Sequence, residues 1–284
     1  MRVQPSHFGR ASGVVATWLA ICGGVSPISA QEVKTPLPPP QAAVNYKDPP
    51  REYTTTRAGN WTIKVENQLL ADAPAVAKKA QARLRKKLGE AIGVLPDASH
   101  VRLQKLDIFL LYGPKSKGGG RDNGLEYFQK TAPEHHKHLD PGWSSSMVVY
   151  CAENYVQISD FWAVKALVHE MAHAHHLEQW PENQPDILQA WENAMKLGLY
   201  QGVKDDQGKI VDKAYATVNQ LEYFAELSCM YFVGCNYQPF DREELKAYDP
   251  KGYAMIEQMW DVKSQGPGVK NRRTPVKPKR KRLG

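Results

Sequence analysis

Apolar and polar residues alternate from Glu52 to Val65 on either side of Ala58-Gly59-Asn60, a period of two interrupted by a turn signal, which predicts a β-hairpin. From Asp72, a residue suited to capping, the period lengthens. A stretch rich in Ala, Lys and Arg runs from about Ala73 to Ala91 and ends near Gly93 and Pro96, as a helix would. Val101 to Tyr112 is dense in apolar residues and predicts a buried strand, and Ser146 to Ile158 a second strand region. Between them, residues 113–124 hold five glycines and a proline and predict a mobile loop. Past Asp160, a candidate cap, Val164, Leu167, Val168 and Met171 recur at helical spacing. Further helices are expected over Pro185 to Leu199, Asn219 to Val233 and most of Asp241 to Asp261, with no internal repeat. Strands early and helices late point to an α+β fold with a small mixed sheet.

The ends differ from this body. Residues 1–30 pattern as a secretory signal: Arg2 and Arg10, an apolar run from Gly13 to Val25, and small residues at Ile28-Ser29-Ala30. The expected location is therefore secreted or extracytoplasmic. Leu19-Ala20-Ile21-Cys22 admits lipoprotein anchoring at Cys22, but Ile before the cysteine fits poorly. No later segment has the length of apolar residues a transmembrane helix needs. Residues 31–51 carry six prolines and predict an extended linker, leaving 52–262 as one domain.

Charge divides the chain again. Residues 263–284 contain nine Lys or Arg and no acid, and the signal two Arg and no acid. Without those eleven, 26 of the 37 basic residues remain against 30 acidic ones, so the body is mildly acidic although the chain carries +7. The tail, 263–284, is expected to be disordered, either solvated with no partner or held to an anionic surface. No nucleic-acid-binding module accompanies it. After loss of Cys22, the odd set Cys151, Cys229 and Cys235 allows one bridge at most. Cys229–Cys235 is the pair nearest in sequence, and three small buried hydrophobes is the reading favoured. Gly118-Gly119-Gly120 lacks the Gly-Lys-Ser/Thr of a phosphate loop.

The chemistry concentrates in His169-Glu170-Met171-Ala172-His173. Histidines four apart on a helix share a face and can bind one Zn2+ ion, and Glu170 beside them can act as general base on an activated water. A catalytic zinc usually takes a third protein ligand. The metzincin continuation is absent, because the positions that should be Gly and His are His176 and Gln179. Glu192 lies near a thermolysin-like spacing without that signature around it. Glu222 is the better candidate. It shares a helix face with Glu226, and two carboxylates on an apolar helix are costly to bury unless a metal or hydrogen bonds satisfy them. Glu226 would then hold a ligand histidine from behind. His175, His176, His135, His136 and His138 are expected at the surface rather than as a second metal site.

Tyr215-x-x-x-Asn219-x-x-Glu222-Tyr223-Phe224-Ala225-Glu226, downstream of His169-Glu170-x-x-His173, resembles the catalytic region of the anthrax-lethal-factor-like metallopeptidases, a gluzincin family. The resemblance covers roughly residues 145–260 and is carried by these two blocks. It implies a zincin-like domain with zinc on His169, His173 and Glu222, Glu170 as base, and Tyr215 as a donor to the developing oxyanion. The expected activity is zinc-dependent hydrolysis of a peptide or protein substrate. The other reading is an inactive, zinc-retaining binding module tethered by the basic tail. Enzymes with this motif usually lay an edge strand above the active-site helix. Met147 to Cys151 is the candidate, with an interior strand the equal alternative.

Overall fold

The computed structural model describes residues 44–262. The signal, most of the proline-rich segment and the basic tail lie outside them. The chain forms a five-stranded mixed sheet and, among the described residues, ten α-helices, an α+β arrangement. Strands β1 (Tyr53–Ala58) and β2 (Trp61–Glu66) make the expected hairpin, with Ala58 paired to Trp61 and Gly59 taking the positive φ that its turn requires. Two helices follow: α1 (Asn67–Asp72) and α2 (Pro74–Ile92). Asp72 therefore ends one helix instead of capping the next. Pro74, whose ring suits a first turn, starts α2.

The apolar run at Val101 proves to be two elements. Helix α3 (Asp97–Leu103) buries Leu103 and leaves Val101 71% exposed, and only β3 (Asp107–Leu110) is strand. Only Gln104, Lys105 and Leu106 separate the last turn of the helix from the first residue of the strand, too short a break for periodicity to divide the run. Strand β4 (Leu125–Phe128) and the short helix α4 (Ala132–His135) were not anticipated. The second strand region likewise splits, into β5 (Ser146–Val149) and α5 (Ala152–Gln157).

The strand order is β1-β2-β3-β5-β4. β2, β3 and β5 run parallel, while β1 and β4 pair antiparallel at the two edges. β5 is thus interior, and Met147 to Cys151 is not the edge strand; β4 is. Alternation sorts the sheet's faces. Ile63, Val65, Ile108, Leu110, Met147 and Val149 join the main core under the helices, and Phe109, Val148 and Phe128 pack on the other face around Trp143.

Residues 44–51 belong to this body. Tyr46 is buried beside Trp143, and Arg51 donates to Glu66, Ser116 Oγ and the Gly119 carbonyl. The glycine-rich loop is pinned by those bonds and by the Arg121 amide on Tyr46 Oη, so it is not the untethered loop its composition suggests. Gly120 approaches Gly113 so closely that a Cβ would overlap its carbonyl.

The long helix α6 (Asp160–Leu177) is capped by Ser159, whose side chain accepts the Trp162 amide, while Asp160 pairs with Arg83 and Lys87 of α2. Next come α7 (Pro185–Lys196), an unanticipated hairpin of β6 (Gln201–Lys204) and β7 (Ile210–Lys213), and α8 (Gln220–Phe232). The last expected helix is broken at Asp249-Pro250 into α9 (Arg242–Tyr248) and α10 (Pro250–Met259).

His175 and His176 are buried, contrary to expectation. The His175 ring stacks on Trp260 at 3.8 Å and its Nε2 donates to the Met259 carbonyl; His176 Nε2 donates to the Pro181 carbonyl. Burial depresses their pKa values to about 3 and about 4. Unfolded, both would titrate near 6.5, so the unfolded chain binds more protons below that pH and stability falls with it. Each is half protonated in the unfolded chain at pH 6.5, so the two together lose about 3 kcal/mol between pH 6.5 and 5. Chemical denaturation of the metal-free protein at pH 6.5 and 5, beside a His175→Gln/His176→Gln variant that removes these two titrations and no others, should show the wild type losing more stability than the variant; an equal loss in both would contradict this packing.

Candidate metal centre

The centre forms where α6 crosses α8 beneath β4. α6 supplies His169, Glu170 and His173, all buried. Asn219 caps α8 by accepting the Glu222 amide at 2.9 Å, which fixes Glu222 in the first turn with Glu226 one turn on. Both carboxylates are buried, Glu226 completely.

His169, His173 and Glu222 come together. His169 Nε2 lies 3.0 Å from Glu222 Oε2 and 3.1 Å from His173 Nε2, and His173 Nε2 lies 3.4 Å from the same Glu222 oxygen. Ligands about 2.0–2.1 Å from a tetrahedral ion stand roughly 3.3 Å apart, so the three atoms outline one face of such a tetrahedron. Glu226 stands behind, its Oε1 accepting a hydrogen bond from His169 Nδ1–H at 2.9 Å. With Nδ1 protonated and the ring neutral, the His169 Nε2 lone pair faces a carboxylate oxygen at 3.0 Å, an arrangement that a proton on Nε2 or a metal ion between the two satisfies.

The charges of the cluster favour a cation as well. Glu170, Glu222 and Glu226 bring three carboxylates into the buried cluster and Lys165 one ammonium, leaving two negative charges when the imidazoles are neutral. Burial opposes charge on His169, yet the Cys229 thiol and the Glu222 and Glu226 carboxylates raise its pKa well above an ordinary histidine's. Burial also opposes charge on Glu222 and Glu226. It is outweighed by His173 and His169 around the first and by Lys165 and His169 around the second, so both are held below the usual carboxylate range. A second cluster, His169, Glu226 and Cys229, also has donor atoms close enough to share an ion. There the Lys165 ammonium already holds both Glu226 oxygens, at 2.8 and 3.0 Å. That cluster is a hydrogen-bond network.

Glu170 Oε2 accepts the Tyr127 amide of β4 at 2.8 Å, and burial raises its pKa. The Tyr127 hydroxyl donates to Glu178 at 2.5 Å, so one residue joins the edge strand to α6 at two points. On the sheet's other face, burial pushes the neighbouring Glu126 up to about 7 against the opposing pull of Tyr150 and Arg121. Tyr215 sits in a single 3-10 turn ahead of α8, its ring 5.9 Å from that of His169. Burial, then Glu222 and Glu170, raise the pKa of its phenol, which stays protonated and able to donate.

The remaining expectations sort readily. Glu192 is exposed on α7 and takes no part. His135 is exposed and His136 and His138 half-buried, and none of the three joins a metal-binding group. Cys151, Cys229 and Cys235 are free and buried, so no Cys229–Cys235 bridge exists. Sequence reasoning missed the Tyr127 amide and Lys165. The first leaves no trace in residue type. The second left one, a lysine a single turn before His169 on a helix otherwise apolar along that stripe. Comparison with protein-family models, with curated proteins and with solved structures returned no match to this chain.

Proposed function

We propose that the chain is a zinc metallopeptidase with a zincin-like catalytic domain, exported by its N-terminal signal. The observation that carries this reading is the triangle of His169 Nε2, His173 Nε2 and Glu222 Oε2, 3.0 to 3.4 Å on a side, within a cluster that carries two net negative charges when its imidazoles are neutral. Two imidazoles and one carboxylate are the donor set of His2Glu zinc hydrolases, with a fourth position left for water or substrate. These three residues would hold the ion. Zinc bound there would polarise a scissile carbonyl and make a water acidic enough to attack it near neutral pH.

The side chains have separable tasks. Glu170, held by the Tyr127 amide, takes a proton from the attacking water and returns it to the leaving amine. Tyr215 donates a hydrogen bond from its phenol to the oxygen on which negative charge develops. Glu226 keeps the His169 ring in one tautomer. Since β4 and not β5 is the edge strand beside α6, an extended substrate would add to the sheet along Leu125–Phe128, its main chain hydrogen-bonded to that edge. The basic tail would hold the protein to an anionic surface.

The test is turnover of a quenched fluorogenic peptide before and after chelation, with zinc added back. Loss and recovery of cleavage are expected. Stoichiometric zinc with no cleavage of a diverse peptide set would favour the binding module.

A further inference from the structure

The geometry points to Lys165 as a positioning residue for the metal centre, acting through Glu226 on His169; this rests on the zinc site proposed above. Lys165 is 1% exposed, on the same stripe of α6 as His169 and one turn before it. A lysine is rarely so deeply buried unless an opposite charge meets it. Its Nζ lies 2.8 Å from Glu226 Oε1 and 3.0 Å from Oε2, bridging both oxygens. Cys235 Sγ reaches Oε2 from another side at 3.4 Å. The aromatic rings of Trp162, 5.2 Å away, and Tyr237, 6.0 Å away, lie around the ammonium.

The consequence is orientation. A carboxylate that only touched a histidine could turn about its own axis and offer Nδ1 a poorly aimed lone pair. With both oxygens held by one fixed ammonium, the plane of Glu226 is set, and Oε1 meets His169 Nδ1 at 2.9 Å. That bond in turn fixes the imidazole ring and leaves Nε2 facing Glu222 and His173. Lys165 also cancels the charge of Glu226. The Glu170 and Glu222 carboxylates are then left against a divalent ion, which the cluster can hold with no net charge buried. The path from Lys165 to the donor triangle runs through the Glu226 carboxylate to His169.

A double-mutant cycle on zinc affinity, read by chelator competition in the full chain, tests this. Lys165→Met replaces the ammonium with an apolar group of similar length. It should weaken zinc binding about tenfold, the lower end of the ~10–100-fold cost of losing an outer partner. In a Glu226→Gln background, the same Lys165→Met change should have almost no further effect, because the carboxylate it acts through is gone. Lys165→Gln, which keeps one donor, should fall between and serves in the same cycle if Lys165→Met does not fold. Unchanged or tighter zinc binding by Lys165→Met would overturn the assignment, as would an equal loss in both backgrounds, which marks a packing role. Failure of the wild-type chain to bind one zinc would remove the site itself and this inference with it; a wild type that binds while the cycle is additive removes Lys165 alone.

Discussion

Glu170→Gln should retain zinc at the wild-type stoichiometry and lose peptide hydrolysis by about 10²–10⁴-fold, the range expected when a general base is removed. The two effects separate because Glu170 is not among the three converging donors: those atoms come from His169, His173 and Glu222. Gln preserves the shape of the side chain, and its carbonyl can still accept the amide of Tyr127, which now holds Glu170 Oε2 at 2.8 Å. The edge strand therefore stays docked on α6, with the phenol of Tyr127 still on Glu178. What disappears is the ability to take a proton. That ability is strengthened in the native site, since burial raises the proton affinity of Glu170, the direction a base serving an activated water needs. Elemental analysis and fluorogenic-peptide turnover on one preparation measure both quantities. Full activity in the variant would show that the base is another group, and loss of zinc would show that Glu170 is a ligand or a structural prop.

The hairpin at Gly59, the cap at Asn219 and the helix carrying His169 and His173 were legible in the sequence because each is written locally, in turn chemistry, a capping side chain or a period. Glu222 and Glu226 were legible for another reason: two acids on an apolar helix need partners wherever the helix lies. The edge strand was misplaced because order within a sheet is not local. The apolar run of β5 marked it as strand, whereas nothing local marked the four residues of β4, and only the antiparallel return through residues 129–145 puts β4 outside. The helices α3 and α5 were absorbed into neighbouring strands because each lies within three residues of a strand-like apolar run. His175 and His176 looked like surface residues because burying a neutral imidazole requires a specific carbonyl, and the carbonyls of Met259 and Pro181 are supplied by tertiary packing.

Glu222→Ala should cost the protein its stoichiometric zinc, with an affinity loss beyond the roughly 100-fold upper end for removing an outer partner. Its carboxylate does two things that no neighbour can replace. Oε2 is a corner of the donor triangle, 3.0 Å from one imidazole nitrogen and 3.4 Å from the other. Its charge is one of the two left over when Lys165 has cancelled Glu226. Glu226 cannot move in to take its place, because both its oxygens are held by Lys165 and Oε1 also receives His169 Nδ1–H. Glu170 is tied to β4. Glu222→Gln separates the two contributions, keeping a neutral oxygen donor while removing the charge, and should fall between wild type and Ala. Glu192→Ala is the control: the residue is exposed on α7, and its loss should leave zinc unchanged. Should Glu222→Ala bind zinc as wild type does while Glu192→Ala does not, the third ligand is Glu192 and α8 has no part in the site. If neither change matters, two imidazoles alone hold the ion, and the position of Glu222 at their side would need a different explanation.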